Sequence, residues 1–406
     1  MTLHEPPNTS GKNFRDFAEE GDVPGGRDHD PLARRLWHDR ERQVKGLTVE
    51  LGAALEGRTA IYLDTCFWIH LRDAQRGELG VRGAELLGRV RGAVASGAVI
   101  FPLSDTTLFE VFKQTPTSRR QTAQLMAELS QGVSIVGSER RMATEIAHLI
   151  KASQPNADPA AFHPLHHLVW TRGLGVMGLP SRYIPGTDED VALRIQRRAI
   201  DIMWRDVTPD MILDVVPADD MDEGFLGLAA DLNRGMTRHQ HQLDGFKAAY
   251  HAEAEGVADL TGDMAMDVMA DCARIQGVAM PAPGSAAWNA QRGRWCALIA
   301  AGLKKGPRPR RRLRTLHAFA GLHAALRWNK GQRFEVNDLY DFEHAAAALG
   351  YCQAFFTEHP LKHMVTAGNL ALDKLFGCDV VHGLADAVAY IAGLAGPPGD
   401  AQPRLA

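Results

Sequence analysis

A short apolar run that ends in a carboxylate is the clearest pattern in this chain. Residues 60–63 are aliphatic or aromatic throughout, which is typical of a strand buried on both faces of a parallel sheet. Asp64 and Thr65 follow directly, and helical apolar spacing resumes through Phe67 and Leu71. Asp64 is therefore predicted at the carboxyl end of a first strand, where open α/β sheets place their sites. The alternative is that Asp64 only caps the helix that follows.

Short apolar runs alternate with helical spacing elsewhere in the chain. They predict further strands at Val99–Leu103, Gln353–Glu358 and Asp379–Val381, and a strand or an extended connection at Ser130–Val136. Strands that alternate with helices are typical of an α/β protein with a parallel sheet. We therefore predict an α/β fold.

The character of the chain changes along its length. Residues 1–30 lack periodicity and are rich in Gly, Pro, Asp and Asn, so a disordered tail is predicted there, and a loose tail at 397–406. Segments 31–136 and 312–395 carry the strands of the α/β domain. The segment 137–311 has mostly helical spacing and is predicted to be an insertion.

Composition excludes several classes of protein. The net charge of −4 argues against nucleic-acid binding through the whole surface, although a local basic patch stays open. The five cysteines form no CxxC pair, so we expect reduced thiols and neither a cysteine zinc site nor a disulfide framework. No apolar run has the length of a membrane span, and no signal peptide is visible, so a cytoplasmic protein is expected.

Two groups of histidines are candidate metal ligands. His163, His166 and His167 have no acidic residue in an HExxH arrangement, so we expect no metal role for them. His239 and His241 are two residues apart and do not share a helical face, which makes a metal role less favoured still.

A basic run precedes the last part of the chain. It places seven cations within eleven residues, namely Lys304, Lys305, Arg308, Arg310, Arg311, Arg312 and Arg314. Pro307 and Pro309 are predicted to keep its first half extended. The run is predicted to contact nucleic-acid phosphates, and the alternative is an ordinary solvated surface.

Acidic residues follow the predicted strands in three places. Besides Asp64, Glu110 lies after the second strand, where the sequence from Thr107 also has the S/T-x-x-E form of a capping box. Asp338 and Asp341 are three residues apart and share one face of a helix whose N-cap is predicted to be Asn337 or Asp338. Glu358 ends the strand at 353–358.

The carboxyl ends of parallel strands meet at one edge of a sheet, so these acids are predicted to converge. Carboxylates that converge repel one another unless hard cations lie between them, and oxygen ligands suit Mg²⁺ or Mn²⁺. The chemistry of such a site is attack by metal-activated water on a phosphodiester.

The order of these elements resembles the PIN-domain nucleases, which include the VapC-type toxins. "YLDTCFWI" is similar to the first-strand signature of that family, and "PLSDTTLFEVF" to its second strand and Glu-bearing helix. "DFEHAAAALGYCQAFFTEHPL" is similar to its Asp-x-x-x-Ala-Ala helix and the strand after it. The resemblance covers 58–136 and 312–392, and implies a PIN-like parallel sheet flanked by helices and interrupted by a large, mainly helical insertion.

Carried over residue by residue, the resemblance makes Asp64 the first acid, Glu110 the second and Asp341 the third, with Asp338 as a competitor for the third. Thr357 matches the hydroxyl at the strand end. These acids are the expected metal ligands. Thr65 is expected to donate a hydrogen bond to a ligand without contacting the metal itself.

The fourth position departs from the family pattern. The family has Asp two residues after the Thr, whereas this chain has His359 there and Glu358 one residue earlier. Glu358 is expected to be a ligand or a base that orients water. The departure also supports a rival, a catalytically decayed PIN-like scaffold that binds a protein partner through the helical insertion.

The function implied by the resemblance is that of a Mg²⁺- or Mn²⁺-dependent endonuclease, with RNA favoured over DNA. A DNA nuclease of the related flap-cleaving group is the third alternative, but that group has more acids than are visible here. For RNA binding, the basic run from Arg308 to Arg314 is the expected surface. An inhibitory protein partner and an oligomer are compatible with this prediction, and no membrane association is expected.

Overall fold

The computed structural model of the chain describes residues 31–153, 162–176, 188–215, 223–239, 244–329 and 331–394. The tails predicted at 1–30 and 397–406 lie outside the described residues, as does His241. Among the residues that are described, no helix combines the length and the apolar composition that crossing a membrane requires.

The strands are short and the helices many. The strands are β1 (Thr59–Leu63), β2 (Val99–Ile100), β3 (Val133–Ile135), β4 (Trp170–Arg172), β5 (Ala354–Phe356) and β6 (Asp379–Val381). The helices before β4 are α1 (Pro31–Ala54), α2 (Thr65–Gln75), α3 (Gly80–Ala95), α4 (Asp105–Phe112), α5 (Pro116–Ser130) and α6 (Ser138–Ala152), followed by a 3₁₀ turn at Leu165–His167.

Most of the helices after β4 belong to the predicted insertion. They are α7 (Gly173–Val176), α8 (Glu189–Asp206), α9 (Pro209–Val215), α10 (Glu223–His239), α11 (Phe246–Leu260), α12 (Gly262–Gln276), α13 (Ala286–Lys304) and α14 (Pro307–Arg310). The helices of the last part of the chain are α15 (Arg314–Trp328), α16 (Val336–Tyr351), α17 (His359–Thr366), α18 (Leu372–Phe376) and α19 (Leu384–Leu394).

Four of the strands form one parallel sheet in the order β2-β1-β5-β6. The structure is thus mostly helical around a small parallel sheet, and the prediction of an α/β arrangement is confirmed at that level. In the register of the central pair, Ile61 lies opposite Ala354 and Leu63 opposite Phe356. The two neighbouring strands therefore end side by side at the same edge.

The remaining two strands, β3 and β4, pair antiparallel. An isolated parallel bridge between Leu103 and Ser134 links this pair to the chain just after β2. The strand predicted at Val99–Leu103 is shorter than expected, and Ser130 still belongs to α5.

Both faces of the central strands are buried, as the apolar runs predicted. Tyr62 and Phe355 point into one core, which they share with α16. Ile61 and Phe356 point into another core on the opposite face, which is lined by α2 to α5 and α19. A parallel sheet covered by helices on both faces has this composition because alternate side chains enter opposite cores.

The described parts of residues 137–311 are mainly helical, and they share a core with the sheet. Trp170, Ile200 and Trp204 belong to the same apolar cluster as Tyr62. One local prediction is wrong, because residues 307–310 form a helical turn and are not extended. Proline fits the first position of a helix, where its missing N–H costs no hydrogen bond.

A buried carboxylate joins α6, α15 and α16. Glu145 accepts hydrogen bonds from the backbone N–H of Thr315 at 2.8 Å and from the hydroxyl of Tyr351 at 2.5 Å. The N-cap residue of α15 is Leu313, which has no side chain that can cap a helix. Glu145 therefore caps α15 from another helix, and burial raises its pKa.

We expect Tyr351→Phe to lower the free energy of unfolding by about 1–3 kcal/mol, because it leaves a buried acceptor with one partner fewer. Urea denaturation of Tyr351→Phe, Glu145→Gln and the double variant measures this in a double-mutant cycle. Purely additive effects in the double variant would contradict an energetically significant bond between the two residues.

Candidate metal centre

The site begins where β1 ends. Asp64 is the N-cap of α2, and its Oδ1 accepts a hydrogen bond from the backbone N–H of Thr65 at 2.6 Å. Its Oδ2 accepts another from the hydroxyl of Thr357 at 2.6 Å. Thr357 directly follows β5, so the two parallel strands deliver the carboxylate and the hydroxyl to the same edge. Asp64 is 6% exposed.

Glu110 reaches this edge from α4. Ser104 is the N-cap of that helix, and its hydroxyl accepts a hydrogen bond from the backbone N–H of Thr107. The capping box predicted from Thr107 to Glu110 is therefore wrong, and Glu110 lies inside the helix. Its Oε2 accepts a hydrogen bond from the hydroxyl of Thr65. The Glu110 side chain therefore does not cap the helix, and helix capping does not explain why an acid stands at this position.

His344 occupies the space between the acids and was not predicted from the sequence. Its Nε2 lies 2.6 Å from Glu110 Oε2 and 3.7 Å from Asp64 Oδ1. On the other side of the ring, Nδ1 lies 2.7 Å from the hydroxyl of Tyr62. That hydroxyl is also within 2.6 Å of Ser104 Oγ. The imidazole is thus held at both nitrogens and is completely buried.

The electrostatics of His344 follow from this position. Burial alone would lower the pKa of His344, but Tyr62, Asp64 and Glu110 outweigh it and raise that pKa well above the ordinary value. Burial in turn raises the pKa of Glu110, whereas His344 and Thr65 lower it, and the net shift is downward. Glu110 and His344 therefore form a buried ion pair in the metal-free protein.

Asp341 lies on α16 one turn before His344 and is half-buried. Burial and the nearby charge of Asp64 raise its pKa to about 7, and Glu110 and Asp338 add to the effect. A carboxyl group near two others has a raised pKa, because a further negative charge is disfavoured there. Asp341 therefore lies in the field of the other two acids, although its oxygens are not among the most tightly grouped ligand atoms.

The competitor for the third acid has a different role. Asp338 accepts a hydrogen bond from the backbone N–H of Glu335 at 2.8 Å and forms a reciprocal capping box with that residue. The N-cap of α16 is thus Glu335, and the predicted N-cap at Asn337 or Asp338 is wrong. Asp338 is the third residue of the helix and stabilises its start.

The residues after β5 lie near the site but are exposed. Glu358 is the N-cap of α17, and its side chain makes no capping hydrogen bond. His359, which stands at the departure from the family pattern, is exposed and stacks on His363. Neither residue is among the grouped ligand atoms.

One atom each from Asp64, Glu110 and His344 lie within 4.8 Å of one another, so this buried cluster could hold a metal ion. The donor set fits a cation, because two carboxylates and one imidazole supply net negative charge once the imidazole is neutral. The signal that sequence reasoning missed is a histidine within the buried alanine-rich face of α16, three residues after a candidate acid.

The basic run is not brought to this cluster. Arg310 Nε donates to the carbonyl of Leu303 at 2.7 Å, and Arg311 Nε to that of Leu375 at 2.9 Å. Arg314 Nη1 donates to the carbonyl of Gly350 at 2.6 Å. These carbonyls belong to the last turns of α13, α18 and α16, where cations complement the helix dipole.

Two of these helices also show at which edge the run lies. Gly350 is six residues beyond His344, or about 9 Å further along the helix axis. Both α16 and α18 end just before a strand begins, so their last turns lie at the amino edge of the sheet. Arg308 and Arg312 remain exposed.

Comparison with known proteins does not assign the chain to a family. No family model matches the chain, and no curated protein or solved structure is significantly similar to it.

Proposed function

We propose that this chain is a metal-dependent endonuclease with a PIN-like fold and that RNA is its favoured substrate. The observation that carries the proposal is the convergence of Asp64, Glu110 and Asp341 at the carboxyl edge of a parallel sheet. These acids come from three separate segments of the chain and are the three that the family resemblance selects. Local capping accounts for Asp64 in part, and for neither of the others.

Asp64, Glu110 and His344 would hold the first cation, with Asp341 beside them. Of the two expected ions, Mn²⁺ suits the site better than Mg²⁺, because Mg²⁺ prefers oxygen ligands and one ligand here is an imidazole. A bound divalent cation would supply a water of lowered pKa and stabilise negative charge on a phosphate.

The residues of the chain prepare the site for that chemistry. Thr357 and the backbone of Thr65 fix both oxygens of Asp64, and the Thr65 hydroxyl fixes Glu110. Asp341, with a pKa of about 7, can hold or release a proton near neutral pH, as a general base must. Glu358 stands exposed beside the site and is the second candidate for orienting water.

A specific observation favours the rival, a scaffold without catalysis. The His344 imidazolium pairs with Glu110 and lies 3.7 Å from Asp64, so it offsets one of the two negative charges without any metal. A site that has lost its cation during evolution would need such a replacement, because buried carboxylates repel each other. The helical insertion would then provide the surface for a protein partner.

For the nucleic acid, a surface other than the basic run is better placed. Arg234 and Arg238 of α10 and Arg333 line one open pocket, and Arg333 also lines a second one with Asp338. The Asn233 side chain makes two hydrogen bonds to the backbone of Phe334, at 2.8 and 2.9 Å, and so fixes α10 to the start of α16. These arginines therefore lie on the side of the acidic cluster.

We expect Asp64→Asn and Asp341→Asn each to lower the cleavage rate of labelled RNA by about 100-fold or more, because the first removes a proposed metal ligand and the second the proposed general base. Asp338→Asn is the matched control on the same helix. Asparagine keeps a cap acceptor, so this variant should retain activity and stability. If Asp338→Asn is inactive and Asp341→Asn is active, then Asp338, one helical turn earlier, is the third acid of the site. Parallel assays on single- and double-stranded DNA test the preference for RNA.

We expect Mn²⁺ to raise the melting temperature of the purified protein more than Mg²⁺ does, because binding to the folded state alone stabilises it. Glu110→Gln should abolish the increase, and Asp338→Asn should preserve it. Differential scanning fluorimetry after chelation measures both. If no divalent ion changes the melting temperature of the wild type, the scaffold is the correct alternative.

We expect the triple variant Arg234→Gln, Arg238→Gln and Arg333→Gln to bind RNA more weakly and with a flatter dependence on salt, because fewer counterions are released. Arg308→Gln with Arg312→Gln, which changes two exposed arginines of the basic run, is the comparison. Binding is measured by fluorescence anisotropy in the Asp64→Asn background, so cleavage does not interfere. If the salt dependence of RNA binding becomes flatter only in the comparison variant, the basic run is the surface that binds RNA.

A further inference from the structure

A second group of metal-binding side chains lies away from the acidic cluster, at the end of α1. Glu56 comes two residues after that helix, and His166 and His167 form the 3₁₀ turn that precedes β4. His167 Nε2 is 2.6 Å from Glu56 Oε1, and His166 Nε2 is 3.6 Å from the same oxygen. The sequence predicts no metal role for these histidines, because no acidic residue stands in an HExxH arrangement with them. The carboxylate that meets them comes from more than a hundred residues away.

The backbone holds these groups in place. A Cβ atom on Gly52 would lie 2.5 Å from the Cα of His167, so α1 touches the backbone of the turn directly. The N–H of Val136 donates to the carbonyl of Val169 at 2.9 Å, which ties the segment after the turn to the end of β3. The two histidines and Glu56 therefore face each other on rigid elements, as a metal site requires.

We propose that Glu56, His166 and His167 form a binding site for Zn²⁺. One ligand atom from each lies within 4.8 Å of the others. Two imidazoles and one carboxylate are a ligand set that Zn²⁺ accepts, at bond lengths of about 2.0–2.2 Å. The side chains of Glu56 and His166 are 58% and 47% exposed, so solvent has access and water fills the fourth position.

The hydrogen bond between Glu56 and His167 gives way when the ion binds. Zn²⁺ takes the place of the proton between the two atoms, which passes to solvent, and the exposed Glu56 side chain shifts enough to admit the ion while remaining a ligand. Zn²⁺ then joins the end of α1 to the 3₁₀ turn that precedes β4. This site is independent of the proposed nuclease activity.

The test is Zn²⁺ binding to the full chain after chelation, measured by isothermal titration calorimetry in the Glu110→Gln background, which removes a ligand of the acidic cluster. We expect one Zn²⁺ per chain. Glu56→Gln and His166→Ala should each weaken binding by about tenfold or more, since even indirect supports of metal ligands change affinity by about 10- to 100-fold. His163→Ala is the matched control, because His163 is exposed nearby and lies outside the group.

Both ligand variants change exposed side chains, so circular dichroism in chelator should match that of the control. A Zn²⁺ affinity that is equal in Glu56→Gln, His166→Ala and His163→Ala would overturn the site. So would a background protein that binds no Zn²⁺. Cleavage activity enters neither measurement, so failure of the nuclease proposal leaves this test unaffected.

Discussion

Repulsion between carboxylates at the carboxyl edge of the parallel sheet is the constraint on which the site depends. Asp64 and Glu110 are brought together by β1 and α4, and neither can move away, because Thr65 and Thr357 hold them by hydrogen bonds. Asp341 approaches them from α16, and its burial together with their negative charge raises its pKa to about 7. An arrangement of this kind needs positive charge, and the structure offers it in the form of His344. The Tyr62 hydroxyl behind the ring keeps it oriented toward the acids.

The same histidine separates the two functional proposals. As a neutral imidazole it would be a ligand, and the cluster would then suit Mn²⁺ better than an all-oxygen site would. As an imidazolium it would take the place of a cation and offset part of the negative charge, as the scaffold proposal requires. Metal binding and proton binding compete for one nitrogen, so the two states exclude each other.

Long-range polar contacts also explain why the basic run has a role different from the one predicted. The last turn of a helix leaves carbonyls without partners inside the helix, and Arg310, Arg311 and Arg314 donate to the ends of α13, α18 and α16. A run of cations in a sequence does not show whether it faces solvent or helix ends. Glu145 illustrates the converse, since a buried carboxylate caps a helix whose own N-cap residue is apolar.

The sequence by itself determined the strands of the parallel sheet, the acid that follows β1 and the helical nature of the insertion. These features follow from periodicity and from the few residues around a strand end, so they are encoded locally. Tertiary structure alone decided that Glu110 reaches the edge where Asp64 lies and that His344 stands beside both acids, whereas the capping box of Asp338 is a local contact. It also brought Glu56 to two histidines from a distant segment. Such contacts depend on how helices pack across hundreds of residues, and the periodicity of one segment carries no information about the partner it meets.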